Sequence, residues 1–304
     1  MSPERPEEAQ RVGEAAALML QQDDDRCELF PHVGGSIGSW SVQGQQMLRP
    51  INAKDAAAHN PYGMASFPLV PYSNRIGEAT FRWQGRDITL RRNYAPELHA
   101  IHGLGHERPW QLKRRSENSA LLVLRHAPDM SWPWAFEARQ ELSLEKGMLT
   151  LKLAATNLES LAVPLAFGHH PYFPKGGAHL RFQAEGVWLA GDDHLPTTRL
   201  DIGGDFDYSR SVAIEGRVLD NCFTGWHGPA HIAWQDQPMA LQISASSALT
   251  NAVVFIHEDV DGFCFEPVPH INNALNLPGQ HPEMPVIDPG ESFEAVIRFR
   301  ALRG

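Results

Sequence analysis

The sequence predicts an all-β fold, specifically a large antiparallel β-sandwich. Apolar and polar residues alternate in short runs along most of the chain, which is the period-2 pattern of half-buried strands. The 25 glycines and 23 prolines are spread along the chain rather than bunched, so they separate these runs as turns do. Long helical periodicity is absent after residue 25, and regularly spaced strands with turn signals are typical of a large sandwich or barrel.

The individual elements follow in order from the N-terminus. Residues 1–25 form a polar lead, in which the composition of Gly13–Gln22 predicts a short helix that Asp23 ends. The predicted strands after this lead are Phe81–Gln84 and Asp87–Leu90 as a hairpin with its turn near Gly85, Ala120–Arg125, Phe136–Leu144 and Met148–Thr156 joined by a turn, Leu241–Ser246, Ala252–His257 and Phe293–Arg300.

The domain organisation is predicted to be simple. All-β folds of more than about 200 residues often form one domain, so we expect residues 26–304 to be a single sandwich domain. The segment 191–217 is richer in Asp, Gly and Pro than its neighbours. It is interpreted as a long surface excursion of one domain, with a domain boundary as the alternative.

The charge and the cysteines exclude several classes of protein. The 26 Lys and Arg against 36 Asp and Glu give a net charge of −10, which argues against nucleic acid or an anionic membrane as the main partner. The three cysteines include no CxxC pair, so reduced thiols are expected rather than a disulfide framework. We find no signal peptide and no apolar run near 18 residues. A cytoplasmic protein is therefore expected.

Titratable side chains collect beside glycine, proline and aromatic residues, which narrow a site and fix the backbone. Loops on a rigid β scaffold are where function concentrates. His102 and His170 lie in such segments, although a satisfied structural histidine is an equally good interpretation of either one. Glu266 ends an apolar run and precedes Pro267. A buried carboxylate is either paired or functional, because burying it alone costs too much free energy.

The 15 histidines raise the question of a metal site. His99, His102 and His106 have the spacing that gathers ligands on a helix, but two intervening glycines argue against a helix. His169 and His170 are adjacent, so in an extended segment they point to opposite faces. These patterns predict neither a metal site nor another cofactor.

Seven motifs, taken in order, resemble those of the aldose 1-epimerase (galactose mutarotase) family over about residues 28–300. Each motif is weak alone, and the ordered set is specific. The motifs are the opening strand Gly34–Gly44, Asn74-Arg75-Ile76, Ile101-His102-Gly103, His170-Pro171-Tyr172-Phe173, Leu219-Asp220-Asn221-Cys222-Phe223, Phe265-Glu266-Pro267 and Pro289-Gly290-Glu291-Ser292.

The resemblance implies a β-supersandwich, without metal or organic cofactor, that interconverts the α and β anomers of a free hexose. It implies Glu266 as the base and His170 as the acid. The residues expected to hold the sugar are Arg75, His102 and Asp220, with Asn74 and Tyr172 as further candidates. The expected partner is a small-molecule sugar, and the expected assembly is a monomer or homodimer.

Two departures from the family pattern concern the substrate. His169 stands where the family usually has Asn, and Leu104 stands where it has a second glycine. Both suggest a branch with its own substrate preference. A phosphorylated or otherwise modified hexose is one alternative, for which Arg91, Arg92 and Arg108 would supply positive charge near His102. A non-catalytic sugar-binding module is the other alternative.

The resemblance also carries expectations about geometry. His170 and Glu266 should face one open groove, about a sugar-ring width apart. A nearby Asp220 would raise the pKa of His170. Besides Tyr172, the aromatic candidates for the groove are Phe173, Phe223, Trp110 and Trp226, for which packing in the core is the preferred interpretation.

Overall fold

The computed structural model describes residues 17–277, 279 and 283–303, and within them nearly all regular structure is β. The strands, in chain order, are β1 Leu18–Gln22, β2 Asp25–Phe30, β3 Ser36–Val42, β4 Gln45–Gln46, β5 Ser66–Leu69, β6 Arg75–Ile76, β7 Thr80–Trp83, β8 Arg86–Thr89, β9 Ala100–Ile101, β10 Gln111–Arg115, β11 Ser119–His126, β12 Phe136–Glu145, β13 Met148–Asn157, β14 Val163–Pro164, β15 Gly168–Phe173, β16 Ala178–Gln183, β17 Gly186–Ala190, β18 Pro196–Asp201, β19 Val212–Ala213, β20 Leu219–Thr224, β21 His227–Trp234, β22 Met239–Ala245, β23 Asn251–Ile256, β24 Phe263–Val268, β25 Val286–Ile287 and β26 Ser292–Arg303. The helices are α1 Ala53–Ala58 and the 3₁₀ helices Pro61–Gly63, Gly77–Ala79, Gly105–Glu107, Gly204–Phe206 and Ala274–Asn276.

Two large antiparallel sheets make up the fold, which confirms the predicted fold class. The first sheet has 11 strands in the order β1-β2-β3-β5-β15-β24-β23-β20-β17-β18, with β4 paired to β3. The second has nine strands in the order β10-β11-β12-β13-β26-β22-β21-β16-β19. Three two-stranded sheets, β14-β25, β6-β9 and β7-β8, complete the described pairing.

The strands predicted from alternation are all present. The hairpin β7-β8 turns at Gly85, and β12 and β13 pair over their whole length from Phe136↔Asn157 to Glu145↔Met148. The four other predicted strands appear as β11, β22, β23 and β26.

The predicted N-terminal helix is wrong in its described part. Leu18–Gln22 is β1, which pairs antiparallel with β2, whereas residues 13–16 of the prediction lie outside the described residues. Leu18 and Leu20 are buried and Met19 between them is 41% exposed. These side chains favour a helix by propensity, but their alternation allows two of them to reach the core in a strand, and that burial decides the structure.

The segment 191–217 is mostly exposed and contributes to the edges of both sheets. Its strand β18 pairs with β17 in the first sheet, and its strand β19 pairs with β16 in the second. It therefore lies along the surface where the two sheets meet.

The two sheets pack face to face over a shared hydrophobic core. Phe299 of β26 contacts Trp40 of β3 and Phe173 of β15, with ring centroids 6.3 and 6.2 Å apart. A buried polar contact also crosses between the sheets, from His169 Nε2 to Gln140 Oε1 at 3.3 Å. The inner face of each sheet is thus occupied by packing, and any ligand has to bind elsewhere.

The outer face of the 11-stranded sheet is covered near its centre by the chain between β5 and β10. The His102 ring packs against Phe67 of β5 and against His170 of β15. β15 and β24 are consequently buried along their whole length, with core on one side and these loops on the other. No helix within the described residues is long and apolar enough to cross a membrane.

Candidate active site

Two neighbouring central strands supply the predicted acid/base pair. β15 and β24 pair antiparallel with Tyr172 opposite Cys264. Because side chains two residues apart share a face of a strand, His170 and Tyr172 lie on the same face as Cys264 and Glu266. His170 Nε2 lies 3.3 Å from Glu266 Oε1. The expected separation of a sugar-ring width is therefore wrong, since the two groups are in direct contact.

The sheet extends this row of side chains sideways. Asp220 on β20 lies opposite Phe255 on β23, and Phe255 lies opposite Cys264 on β24. Four adjacent strands thus place Asp220, Phe255, Cys264 and Tyr172 in one line across the outer face. The pair His170 and Glu266 occupies the next line.

The covering loops adopt backbone conformations that bring polar groups onto this face. Asn74 and His102 have φ angles of 55° and 59°, in the left-handed region that few non-glycine residues occupy. The His102 amide donates to the Asn74 carbonyl at 2.9 Å, which ties the two segments together. Gly103 also has positive φ, and a Cβ there would lie 2.2 Å from the Val70 carbonyl oxygen, so the close approach requires glycine.

Arg75 forms ion pairs with two carboxylates at the edge of the site. Its Nη1 donates to Asp220 Oδ2 at 3.2 Å, and its Nη2 and Nε donate to Glu97 Oε1 at 3.0 and 3.3 Å. His194 Nδ1 lies 3.7 Å from the same Asp220 oxygen. The guanidinium is therefore fixed from both sides and its charge is balanced within the protein.

One cavity of about 120 Å³ collects all seven residues singled out in the sequence. The predicted residues that line it are Asn74, Arg75, His102, His170, Tyr172, Asp220 and Glu266. Sequence reasoning missed four further lining residues, which are Tyr62, Tyr94, Ile101 and Phe255.

The sequence held a usable signal for two of these four, since Ile101 stands in the motif Ile101-His102-Gly103 and Phe255 lies in an alternating run. Phe255 lies in a predicted strand, but assigning its face required the register with Asp220, which only the folded sheet provides. Tyr62 lies in the short 3₁₀ helix Pro61–Gly63, and Tyr94 lies in a loop without regular structure. No sequence periodicity therefore pointed to either residue.

The other aromatic candidates belong to the core. Phe173, Phe223, Trp110 and Trp226 are all buried, and none of them lines the cavity. Trp110 illustrates the reason, because its ring packs on Phe167 and its Nε1 donates to a backbone carbonyl. The preferred interpretation of these four as packing residues holds in the structure.

The arginines considered for a phosphorylated substrate do not reach the cavity. Arg91 pairs with Glu107 and Arg108 pairs with Asp129, both near the surface. Arg92 is exposed and does not line the cavity either. These arginines are close to His102 in the sequence, but their side chains do not line the cavity that contains His102.

Burial acts on both members of the acid/base pair and favours their neutral forms. It raises the pKa of Glu266 well above its ordinary value, with Asp220 adding to the rise and Arg75 opposing it. Burial also lowers the pKa of His170 to about 3. The expectation that Asp220 raises the pKa of His170 is wrong, because Asp220 pairs with Arg75 instead.

Two buried polar atoms at the site have no partner among the described residues. They are Glu266 Oε2 and His102 Nδ1, and both residues line the cavity. Buried polar atoms are nearly always hydrogen-bonded, so these two are available to a bound molecule.

The two departures from the family pattern point away from the cavity. His169 faces the inside of the sandwich, where Ser66 of its own sheet contacts its Nδ1 and Gln140 of the nine-stranded sheet contacts its Nε2. Leu104 is fully buried in the core. Neither side chain lines the site, so the expectation that they mark a substrate preference gains no support from contact.

Among the described residues, one group of side chains could hold a metal ion. It consists of His170, Cys264 and Glu266, whose donor atoms lie within 4.8 Å of one another. His99, which the sequence grouped with two other histidines, instead accepts from the Glu78 amide and contacts the Asp193 carbonyl.

Comparison with known proteins identifies the family and the fold. The sequence profile of the aldose 1-epimerase family matches residues 18–300. A crystal structure of a candidate aldose 1-epimerase from Escherichia coli K12 superposes with a TM-score of 0.87, at 25% identity over 96% of this chain and 100% of that one. The structure of galactose 1-epimerase from Lactobacillus acidophilus NCFM gives a TM-score of 0.79, at 16% identity over 100% of this chain and 98% of that one.

A curated protein from Escherichia coli is similar in sequence over most of both chains. The uncharacterized protein YphB of Escherichia coli (strain K12) is 27% identical over 276 residues, which cover 88% of this chain and 92% of that protein. The fold is that of the galactose mutarotases. The chain belongs to the aldose 1-epimerase family.

Proposed function

We propose that the protein is an aldose 1-epimerase that interconverts the α and β anomers of a free, uncharged hexose. The observation that supports this most is the contact between His170 Nε2 and Glu266 Oε1 at 3.3 Å in the wall of a polar cavity. In this proposal Glu266 is the base and His170 is the acid.

The reaction explains why the two groups lie so close together. Mutarotation removes a proton from the anomeric hydroxyl and delivers a proton to the ring oxygen. Both oxygens are bonded to the same carbon, so an acid and a base 3.3 Å apart can serve both of them. The ring then opens, the C1–C2 bond rotates, and the aldehyde recloses on its other face.

Burial favours the protonation states that follow ring opening, and it opposes the ion pair from which ring opening starts. Ring opening takes a proton onto Glu266 and gives one from His170, which leaves a neutral carboxyl and a neutral imidazole. These are the forms that burial favours, through the raised pKa of Glu266 and the lowered pKa of His170. The ion pair before ring opening and the neutral pair after it each carry one exchangeable proton. The two residues therefore need to exchange protons only with the sugar. Each positioned proton transfer contributes about 10²–10⁴-fold to the rate.

The rest of the cavity suits a neutral polyol. Arg75, Asp220, Asn74 and His102 offer donors and acceptors for hydroxyl groups. Tyr172, together with Tyr62, Tyr94 and Phe255, supplies the aromatic surface on which the C–H faces of a sugar pack.

The charge balance argues against a phosphorylated substrate. Arg75 is the one basic Lys or Arg side chain among the residues that line the cavity, and it pairs with Glu97 and Asp220. A phosphate would therefore meet the carboxylates without an unpaired cation to receive it. A panel that compares α-glucose with glucose 6-phosphate separates the two substrate classes, and faster turnover of the phosphorylated sugar would overturn this part of the proposal.

Polarimetry of α-glucose and α-galactose tests the roles of the pair. We expect the purified protein to accelerate anomeric equilibration, and Glu266→Gln and His170→Asn each to lower kcat by about 10²–10⁴-fold, because each removes one positioned proton transfer.

Matched controls are Glu258→Gln and His227→Asn, which make the same changes at exposed positions and should keep the wild-type rate. Wild-type rates in both site variants would show the assignment of roles to be wrong. Sugar binding without acceleration would favour the binding-module alternative.

A further inference from the structure

We propose that His170, Cys264 and Glu266 bind a thiophilic divalent cation such as Zn²⁺, and that the bound cation inhibits the enzyme. The proposed cation is an inhibitor and not a cofactor of the reaction. The inhibition rests on the proposed function, whereas the binding does not.

The strand geometry brings the three donors together. Cys264 and Glu266 are two residues apart on β24, so both side chains leave the strand on the same face. Cys264 Sγ lies 3.7 Å from His170 Nδ1, and the donor atoms of all three residues lie within 4.8 Å of one another. Cys264 contacts Nδ1 of His170 and Glu266 contacts its Nε2, so a zinc ion at its usual distance of about 2.0–2.3 Å from each donor requires side-chain shifts that turn both residues toward one ring nitrogen.

The donor set has the composition of an open zinc site. A thiolate sulfur, an imidazole nitrogen and a carboxylate oxygen are all ligands that zinc accepts, and three protein ligands leave the fourth position for water. His170 and Glu266 line the cavity and Cys264 does not, so the open fourth position is expected on the cavity side. A sulfur donor favours Zn²⁺ or Cd²⁺ over Mg²⁺ and Ca²⁺, which prefer oxygen ligands.

The burial of the group adds a second observation. His170, Cys264 and Glu266 are 5%, 0% and 1% exposed. Glu266 Oε2 has no hydrogen-bond partner among the described residues, so one carboxylate oxygen is free to coordinate. When the sulfur–metal bond forms, the thiol proton passes to the solvent, as does a proton carried by the carboxyl group.

The bound cation would block the proposed reaction directly. It takes up lone pairs of the imidazole and of the carboxylate, the two groups proposed to exchange protons with the sugar. It also puts positive charge where the sugar oxygens must approach. Cys264 has no part in the proposed proton transfers, although its Sγ lies 3.7 Å from His170 Nδ1.

Cobalt absorption tests the binding without reference to activity. The reduced full-length protein is freed of metal with a chelator and titrated with Co²⁺, and we expect a thiolate-to-cobalt charge-transfer band. The band should disappear in Cys264→Ser and in Cys264→Ala, and persist in Cys222→Ser and Cys27→Ser, which change the two other buried cysteines. A band that survives in both Cys264 variants, or no band in the wild type, would overturn the proposal.

Inhibition is measured on the same variants by polarimetry. Zn²⁺ should slow the wild-type enzyme, Mg²⁺ should not, and a chelator should restore the rate. Cys264→Ser, compared with its own metal-free rate, should need at least about tenfold more Zn²⁺ for half-inhibition, the low end of what the loss of a supporting group costs a metal site. Equal sensitivity of Cys264→Ser and wild type would overturn the inference. Absence of any mutarotase activity would defeat the proposed function and leave the cobalt result intact.

Discussion

At the scale of single residues, the charges around Arg75 alternate in sign across the mouth of the cavity. Glu97, Arg75 and Asp220 are linked by contacts of 3.0 and 3.2 Å, and His194 lies 3.7 Å from Asp220. These four side chains come from four separate segments of the chain. Arg75 and Asp220 line the cavity, so the two outer groups act on the sugar only by holding the inner ones in place.

Substitution of Glu97 by Gln should weaken substrate binding with little effect on the chemical step. The change removes one charge that fixes Arg75 but retains an oxygen acceptor. We expect a loss of about 1 kcal/mol, seen as an increase in KM of about fivefold with kcat nearly unchanged. The measurement is polarimetry at varied sugar concentration.

Glu107→Gln is the matched control, since Glu107 pairs with an arginine outside the cavity. It should leave both constants unchanged. A fall in kcat with unaltered KM in the Glu97 variant would mean that this carboxylate acts on the reacting groups instead of on Arg75.

The sequence predicted those site residues that short motifs mark, and it missed those that only the fold brings near. Asn74 and His102 stand in motifs because their unusual backbone conformations restrict which residues fit. Glu97 carries no such restriction, and His194, whose φ is also positive at 61°, stands in none of the motifs. The distances of these two residues to Arg75 and Asp220 depend on how loops settle. Cys264 is an intermediate case, because it lies two residues before Glu266 in the apolar run, a spacing that implies a shared face if the run is a strand.

At the scale of elements, a buried polar chain connects the two sheets behind the site. Ser66 on β5 contacts His169 on β15, and His169 contacts Gln140 on β12 of the opposite sheet. Gln140 Nε2 also donates to the Gly35 carbonyl at 2.7 Å. Strand β15 carries His170 on the face toward the cavity. The adjacent residue His169 holds the same strand in place on the opposite face.

Replacement of Gln140 by Ala should destabilise the protein through this chain. It leaves the Gly35 carbonyl and a nitrogen of His169 buried without their partner, which costs about 1–3 kcal/mol. Urea unfolding measures the difference. Glu141→Ala changes the next residue on the opposite, solvent side of the strand, where its ion pair with Arg114 is worth about 0–1 kcal/mol. Equal losses in the two variants would contradict a role for the buried chain.

Strand positions were predictable from the sequence, whereas strand neighbours were not. Alternation marks β12 and β13, and the short turn between them makes their pairing the obvious one. The pairing of β13 with β26 joins residues about half the chain apart, and no local pattern encodes it. The helix prediction at the N-terminus was wrong because the leucines of β1 suit a helix and a strand equally well. Only their burial in the core selects the strand.

At the scale of the whole molecule, burial lowers the pKa of seven histidines among the described residues, including His126 and His231. The lowering is strongest for five of them, to about 3 for His169 and His170, to about 4 for His106 and His270, and well below its usual value for His102. In the unfolded chain each of them would titrate near pH 6.5. Each therefore binds a proton on unfolding at any pH between its folded value and about 6.5.

These histidines predict that the protein loses stability in mild acid. Because the unfolded state binds more protons in that window, the free energy of unfolding must fall as the pH drops below about 6.5, by up to about 1.4 kcal/mol per pH unit for each histidine. Glu266 acts in the opposite direction, since its raised pKa makes the folded state hold the extra proton. The five histidines outnumber Glu266, so the free energy of unfolding should show a clear net loss between pH 6.5 and 5.

Urea unfolding at pH 7.5, 6.0 and 5.0 measures this loss of stability. His169→Asn and His270→Asn should each reduce the proton uptake by about one, whatever they do to stability at pH 7.5. An unchanged slope in both variants, or a wild-type protein equally stable at pH 7.5 and 5.0, would show that these histidines keep their charge in the folded state.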